Sequence, residues 1–161
     1  MAYKKTIKKV VIFFSFLFPL LALADSLKGK VISITDGDTL TVLDSEYSQY
    51  IIRLAAIDAP ERRQAFGNKA KQYLADLCFS KTAEINVVDN DRYGRLVGFV
   101  KCDKKSANEL LVENGFAWVY RKYAKGYEYL YEHESKAKSN KVGLWVDLYP
   151  IPPWEYRKSK R

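Results

Sequence analysis

Asp36-Gly37-Asp38-Thr39 and Asp58-Ala59-Pro60-Glu61 place four carboxylates at the two ends of one stretch, residues 36–61. Carboxylate oxygens are hard ligands. If the two ends meet in space, they suit Ca²⁺ or Mg²⁺ rather than zinc. The spacing is not that of an EF-hand, whose ligands fall within one short loop. Taken singly, each segment has an ordinary reading: Asp-Gly-Asp as a hairpin turn, Asp58 as an Asx turn or helix cap, and Glu61 as an acid favouring a helix N-terminus. The pairing points to a metal, because each aspartate ends a strand of the same meander. Arg53 puts a charge inside an apolar strand, where it must find a partner or face a cleft. Arg95 follows Asp91-Arg92-Tyr93-Gly94 at a turn–strand junction. A guanidinium fork matches two phosphate oxygens and stays charged at any working pH, so Arg53 and Arg95 suit a phosphodiester. Glu61 would orient or deprotonate a water.

The chemistry is narrowed by what is scarce. His133 is the only histidine and sits between Glu132 and Glu134, where it reads as a solvated surface residue. Zinc sites built on histidine pairs and Ser-His-Asp triads are thereby disfavoured. Carboxylates, arginines, lysines and tyrosines remain.

These side chains need a scaffold. Leu27–Ile34 and Thr39–Leu43 carry β-branched residues around an Asp-Gly turn, and Tyr50–Ile57 reads as a third strand, making a meander. Ala70, Tyr73, Leu74 and Leu77 recur at helical spacing and predict a helix over residues 67–79. Strands follow at residues 83–88 and 95–101, separated by the turn at Asp89–Gly94. A short helix at residues 108–114 is stopped by Gly115. An extended piece is expected at residues 116–120 and a helix at residues 127–140. The fold class is α+β: a five-stranded Greek-key barrel of the OB-fold type, packed with about three α-helices. Residues 149–161, ending Arg157-Lys158-Ser159-Lys160-Arg161, read as a frayed basic tail.

The start of the chain is different. Lys4, Lys5, Lys8 and Lys9 precede an apolar run, Val10–Ala24, that ends in Ala22-Leu23-Ala24. This is the three-part pattern of a secretory signal peptide, residues 1–24, followed by one domain at residues 25–148. The run is short of the roughly 20 residues that span a bilayer, so no stable membrane insertion is expected after cleavage. Removing residues 1–24 takes four lysines and no acid, so the formal charge of +8 falls to +4. A polyanion remains a natural partner. A secreted or periplasmic location permits Cys78 and Cys102 to bridge, although two buried free thiols fit the sequence as well.

The quoted segments carry a family resemblance. Asp36-Gly37-Asp38-Thr39, Arg53 with Asp58-Ala59-Pro60-Glu61, and Asp91-Arg92-Tyr93-Gly94-Arg95 resemble the three signature segments of the staphylococcal nuclease family, in order. Asn108–Gly115 and Gly143-Leu144-Trp145 are similar too, so the resemblance spans nearly all of residues 27–146. It implies a secreted, monomeric, Ca²⁺-dependent nuclease that cleaves DNA and RNA to 3′-phosphates. Carried over by position, Asp38, Asp58 and the Ala59 carbonyl would hold the metal, with Asp36 as an outer-sphere acid. Arg53, Glu61 and Arg95 would be catalytic, and Arg92, Tyr93 and Tyr123 would contact substrate. The competing reading is an OB-fold module that binds nucleic acid without cutting it. Convergent acids argue against that module, because they repel phosphate.

Overall fold

The computed structural model describes residues 26–160. The segment read as a signal peptide lies outside the described residues. Five strands close a barrel: β1 (Ser26–Ile34), β2 (Thr39–Leu43), β3 (Gln49–Leu54), β5 (Thr82–Asn90) and β6 (Leu96–Cys102). Antiparallel ladders join β3-β2-β1-β5-β6, and a parallel pairing of β3 with β6 shuts the sheet on itself. Closure removes the exposed edges that an open sheet would present. Irregularities at Val31/Ser33 in β1 and Val87/Asp89 in β5 supply the local bends that a small barrel requires. The short strands β4 (Ile57–Asp58) and β8 (Trp118–Val119) pair beside the barrel, and β7 (Lys105–Ser106) ends the main sheet.

Alternation along the strands sends Val31, Leu40, Val42, Ile52, Leu54, Ile85 and Val100 inward, all essentially without solvent contact. Helices α1 (Gly67–Cys78), α2 (Ala107–Glu113) and α3 (Leu130–Ser139) cover this core with Leu74, Leu111, Val112 and Leu130. Each such side chain contributes about 1.5–3 kcal/mol relative to exposure. The core thus anchors the strands whose ends carry the charged residues. Cys78 at the end of α1 and Cys102 at the end of β6 are joined as a disulfide, with Cα atoms 5.3 Å apart.

Two features differ from the sequence reading. The third strand stops at Leu54 rather than running to Ile57. Ala56 takes a left-handed φ of 61°, which turns the chain so that Ile57 and Asp58 leave the barrel and pair with β8. Nothing in Ala55-Ala56 announces such a turn, since alanine has no special preference for it. The second difference is the C-terminus. Pro153–Ser159 forms a fourth helix, α4, where a frayed tail was expected. Pro153 stands in the first turn, where its fixed φ suits a helix and its missing N–H costs nothing.

Candidate active site

The Asp36–Thr39 turn and the Asp58–Ala59 segment meet directly. Asp38 Oδ2 accepts the Ala59 N–H at 2.7 Å, and the Leu54 N–H donates to the Asp38 carbonyl at 2.8 Å. Asp36 Oδ1 accepts the Asp38 N–H at 3.1 Å, closing the turn between the two acids. Gly37 is required there by space rather than by φ. A Cβ at this position would lie 2.7 Å from the Cβ atoms of both Ala59 and Ala70, so the turn could not seat against α1.

Arg53 lies between the two buried aspartates. Its Nη1 is 3.0 Å from Asp38 Oδ2 and its Nη2 is 3.0 Å from Asp58 Oδ1. The side chain is 16% exposed, against 9% for Asp38 and 2% for Asp58. The charge inside the apolar strand has therefore found two partners. Burial pushes the Asp38 carboxyl up to about 7, against the opposing pull of Arg53. Asp36 and Asp58 add to the rise as neighbouring negative charges.

A residue that the sequence did not single out completes the cluster. Arg157, on α4, donates from Nη2 to Asp58 Oδ2 at 2.7 Å and from Nη1 to Asp58 Oδ1 at 3.2 Å. The same Nη1 donates to Glu61 Oε1 at 2.7 Å. These bonds, led by the pair with Asp58, hold the Arg157 guanidinium still more firmly protonated than usual. The only sequence signals were a proline able to start a helix and a run of basic residues, and neither says where the helix docks.

Packing fixes the frame around these groups. Asn108, fully buried on α2, accepts the Val100 N–H at 3.0 Å and donates to the Ala55 carbonyl at 2.9 Å. It thereby ties the turn between Arg53 and Asp58 to the barrel. Glu134, buried on α3, accepts the Val119 N–H at 3.0 Å, which steadies β8 and, through it, Asp58. On the same helix His133 is half-buried and faces Glu113, with Nδ1 3.6 Å from its Oε2, rather than being fully solvated.

Arg95 stands apart from the acids. Its Nε and Nη2 each lie 2.7 Å from Asp91 Oδ2, within the turn that leads into β6. Asp91 Oδ1 also accepts the N–H groups of Tyr93 and Arg95. Burial opposes ionisation of Asp91, but these backbone bonds and the Arg95 side chain outweigh it and hold its carboxyl below the usual range. Gly94, with φ 79°, supplies the left-handed residue the turn needs. Arg53 pairs with Val97 across the parallel ladder, and Arg95 immediately precedes β6, the strand that lies beside β3. Arg92 donates to the Tyr93 hydroxyl at 2.7 Å and lies over its ring. That bond, with a smaller contribution from Tyr123, favours the charged form of Arg92. Tyr93 and Tyr123 are both exposed, and the Tyr123 ring packs edge-on to Tyr120.

The structure therefore gathers Asp36, Asp38, Arg53, Asp58, Ala59 and Glu61 in one place. It sets Arg92 and Arg95 over the exposed Tyr93 ring on the Asp91–Arg95 turn, with Tyr123 close enough to Arg92 to favour its charged form. Among the described residues, no three His, Cys, Asp or Glu side chains form a ready-made metal cluster. The guanidinium groups of Arg53 and Arg157 lie between the acids. The donor set still fits a hard divalent cation, because Asp38 and Asp58 offer oxygens alone.

A family model described as staphylococcal nuclease homologue matches residues 51–147. The chain belongs to the staphylococcal nuclease family. The match takes in Arg53, Asp58, Glu61 and the Asp91–Arg95 turn, and it stops before α4. Members of similar length include a micrococcal nuclease of Shigella flexneri, 38% identical over 144 residues, covering 83% of this chain and 82% of the relative. An uncharacterized endonuclease of Haemophilus influenzae is 39% identical over 132 residues, covering 82% of this chain and 74% of its own. An uncharacterized endonuclease of Escherichia coli is 37% identical over 146 residues, covering 90% and 94%. The barrel with flanking helices is the α+β OB-fold architecture that the family resemblance implied.

Proposed function

We propose that this chain is an exported, monomeric, Ca²⁺-dependent nuclease that hydrolyses phosphodiester bonds in DNA and RNA and leaves 3′-phosphates. That the protein is a nuclease follows from its family and its nuclease-named relatives. The metal-assisted reading is supported by the joint between Asp38 and the Asp58–Ala59 segment, with Arg53 shared by both aspartates. Export rests on the pattern of residues 1–24, and the substrates and products on the family resemblance. The joint brings two buried carboxylates and a guanidinium into one small volume.

Asp38, Asp58 and the Ala59 carbonyl would hold Ca²⁺, with Asp36 behind them. When bound, the ion supplies charge neutralisation for a phosphate and for the charge that develops during attack. Arg53 and Arg95 would exchange their carboxylate partners, Asp38 and Asp58 for one and Asp91 for the other, for the non-bridging phosphate oxygens. Bound there, they stabilise charge building on phosphorus. Glu61, half-exposed beside Asp58, takes a proton from the attacking water or fixes its direction. Arg92, Tyr93 and Tyr123 line the flank along which a polyanion would lie, the tyrosines offering faces for bases.

The test is direct. Protein lacking residues 1–24 is incubated with plasmid, heat-denatured DNA or RNA, in Ca²⁺ or in EDTA. Cleavage of all three in Ca²⁺ and none in EDTA is expected, with a 3′-phosphate at each new end. Intact nucleic acid under every condition would overturn the proposal, and full cutting in EDTA would overturn its metal requirement. Mass spectrometry of exported protein should show an N-terminus at Asp25; an intact Met1 would overturn the export step.

A further inference from the structure

We propose that helix α4 is a built-in gate on this site, in which Arg157 and the divalent cation exclude one another at Asp58. The inference rests on the metal reading above and adds a competitor to it. Asp58 is 2% exposed, and its two oxygens are already engaged by two guanidinium groups. Arg53 reaches it from strand β3 and is 16% exposed. Arg157 is 38% exposed and covers it from the solvent side. A cation arriving from solvent must take the oxygens that Arg157 holds. Oδ1 already takes bonds from both guanidinium groups and Oδ2 from Arg157, so a cation can bind Asp58 only by displacing Arg157.

The gate is held in position by contacts that do not involve Arg157. Pro153 is buried. The Trp154 ring stacks on Tyr120, 5.3 Å away with planes 6° apart, and meets Trp118 edge-on at 5.8 Å. The Tyr156 hydroxyl donates to the Arg63 carbonyl at 3.1 Å, and Gln64 donates to the Ile151 carbonyl at 2.6 Å. These contacts fix the helix over the cluster, so the arginine is presented at high local concentration. Once displaced, Arg157 enters a cleft whose other charges are mainly positive. Arg62, Arg63 and Lys160 line an open cleft with it beside Glu61. A phosphate entering that cleft offers the arginine a new anionic partner, so polyanion and cation favour opening together. All of α4 lies beyond the segment that the family model matches.

The test measures Ca²⁺ affinity by calorimetry, with CaCl₂ as the only titrant, in wild type, Arg157→Gln and Trp154→Ala. Thermal unfolding of each is followed in EDTA and in saturating Ca²⁺. Arg157→Gln should bind Ca²⁺ about tenfold more tightly, equivalent to about 1.4 kcal/mol. Its melting temperature should fall in EDTA and match wild type in Ca²⁺, because the lost bonds exist only while the cation is away. Trp154→Ala keeps the arginine but frees the helix, and should also raise affinity. Unchanged or weaker binding in both variants would overturn the gate, as would equal destabilisation of Arg157→Gln in EDTA and Ca²⁺. If wild type and variants all bind no Ca²⁺, the metal reading itself falls and takes the gate with it.

Discussion

Asp38 Oδ2 accepts the N–H of Ala59, 21 positions further along the chain, at 2.7 Å. That single bond converts two turn-like acidic segments into one site. It also means that the site and the fold share parts, so a variant must be read for stability as well as for rate.

Arg53→Ala should show both effects. The side chain is buried between two carboxylates that are themselves buried, and its removal leaves them uncompensated. Breaking such a cluster costs about 3–5 kcal/mol. Denaturant unfolding should report that loss, and the folded fraction should cut nucleic acid at least about 10²-fold more slowly. Wild-type stability in Arg53→Ala would reject the structural half of this expectation.

Arg95→Ala should separate from it. Its partner Asp91 and the surrounding turn are partly solvated, so the ion pair is worth at most about 1 kcal/mol. Stability should change little while the rate falls by about 10²- to 10³-fold. Paired denaturation and initial-rate measurements on the two arginine variants test the contrast.

The Asp91 turn carries a pH dependence of known sign. Its carboxyl titrates below the model-peptide value of 3.8 because Arg95 and Tyr93 bond to the charged form. A depressed carboxylate contributes stability that is fully present above the unfolded value and is lost as pH falls through the folded one. Wild type should therefore exceed Asp91→Asn in stability at neutral pH, and the gap should close as pH drops below about 4. A gap independent of pH would reject the assignment.

Asn108→Ala should be costly although it touches no charged group of the site. It orphans the Val100 N–H and the Ala55 carbonyl in a dry environment. Each unsatisfied group costs about 1–3 kcal/mol. Freed from its clamp, the Ala55-Ala56 turn should hold Arg53 and Asp58 less firmly. Activity should drop even at temperatures where the variant is folded, and chemical denaturation with a rate assay checks both.

The barrel was legible because its signals are local. Strand alternation, the Asp-Gly turn and the spacing of Ala70, Leu74 and Leu77 each need only neighbouring residues. The exit of Asp58 from the third strand was not, since it depends on Ala56 adopting a left-handed φ that alanine does not advertise. His133 shows the same limit: two flanking glutamates suggest solvent, but its half-burial is set by packing of α3 against α2.

The amino-acid sequence by itself determined the types of group available: oxygen donors, forked cations, and too few histidines for other routes. It also placed Asp38 and Arg53 in one meander, while its expectation that Asp58 ends the third strand gave way to the pairing of Asp58 with β8. Only the tertiary structure decided what faces what. Arg53 is divided between two aspartates, Arg95 is turned toward Asp91, and Arg157 arrives on Asp58 from 99 residues away. The physical reason is range. Periodicity and turn chemistry act over a few residues, whereas a charge pair forms wherever burial brings the partners together.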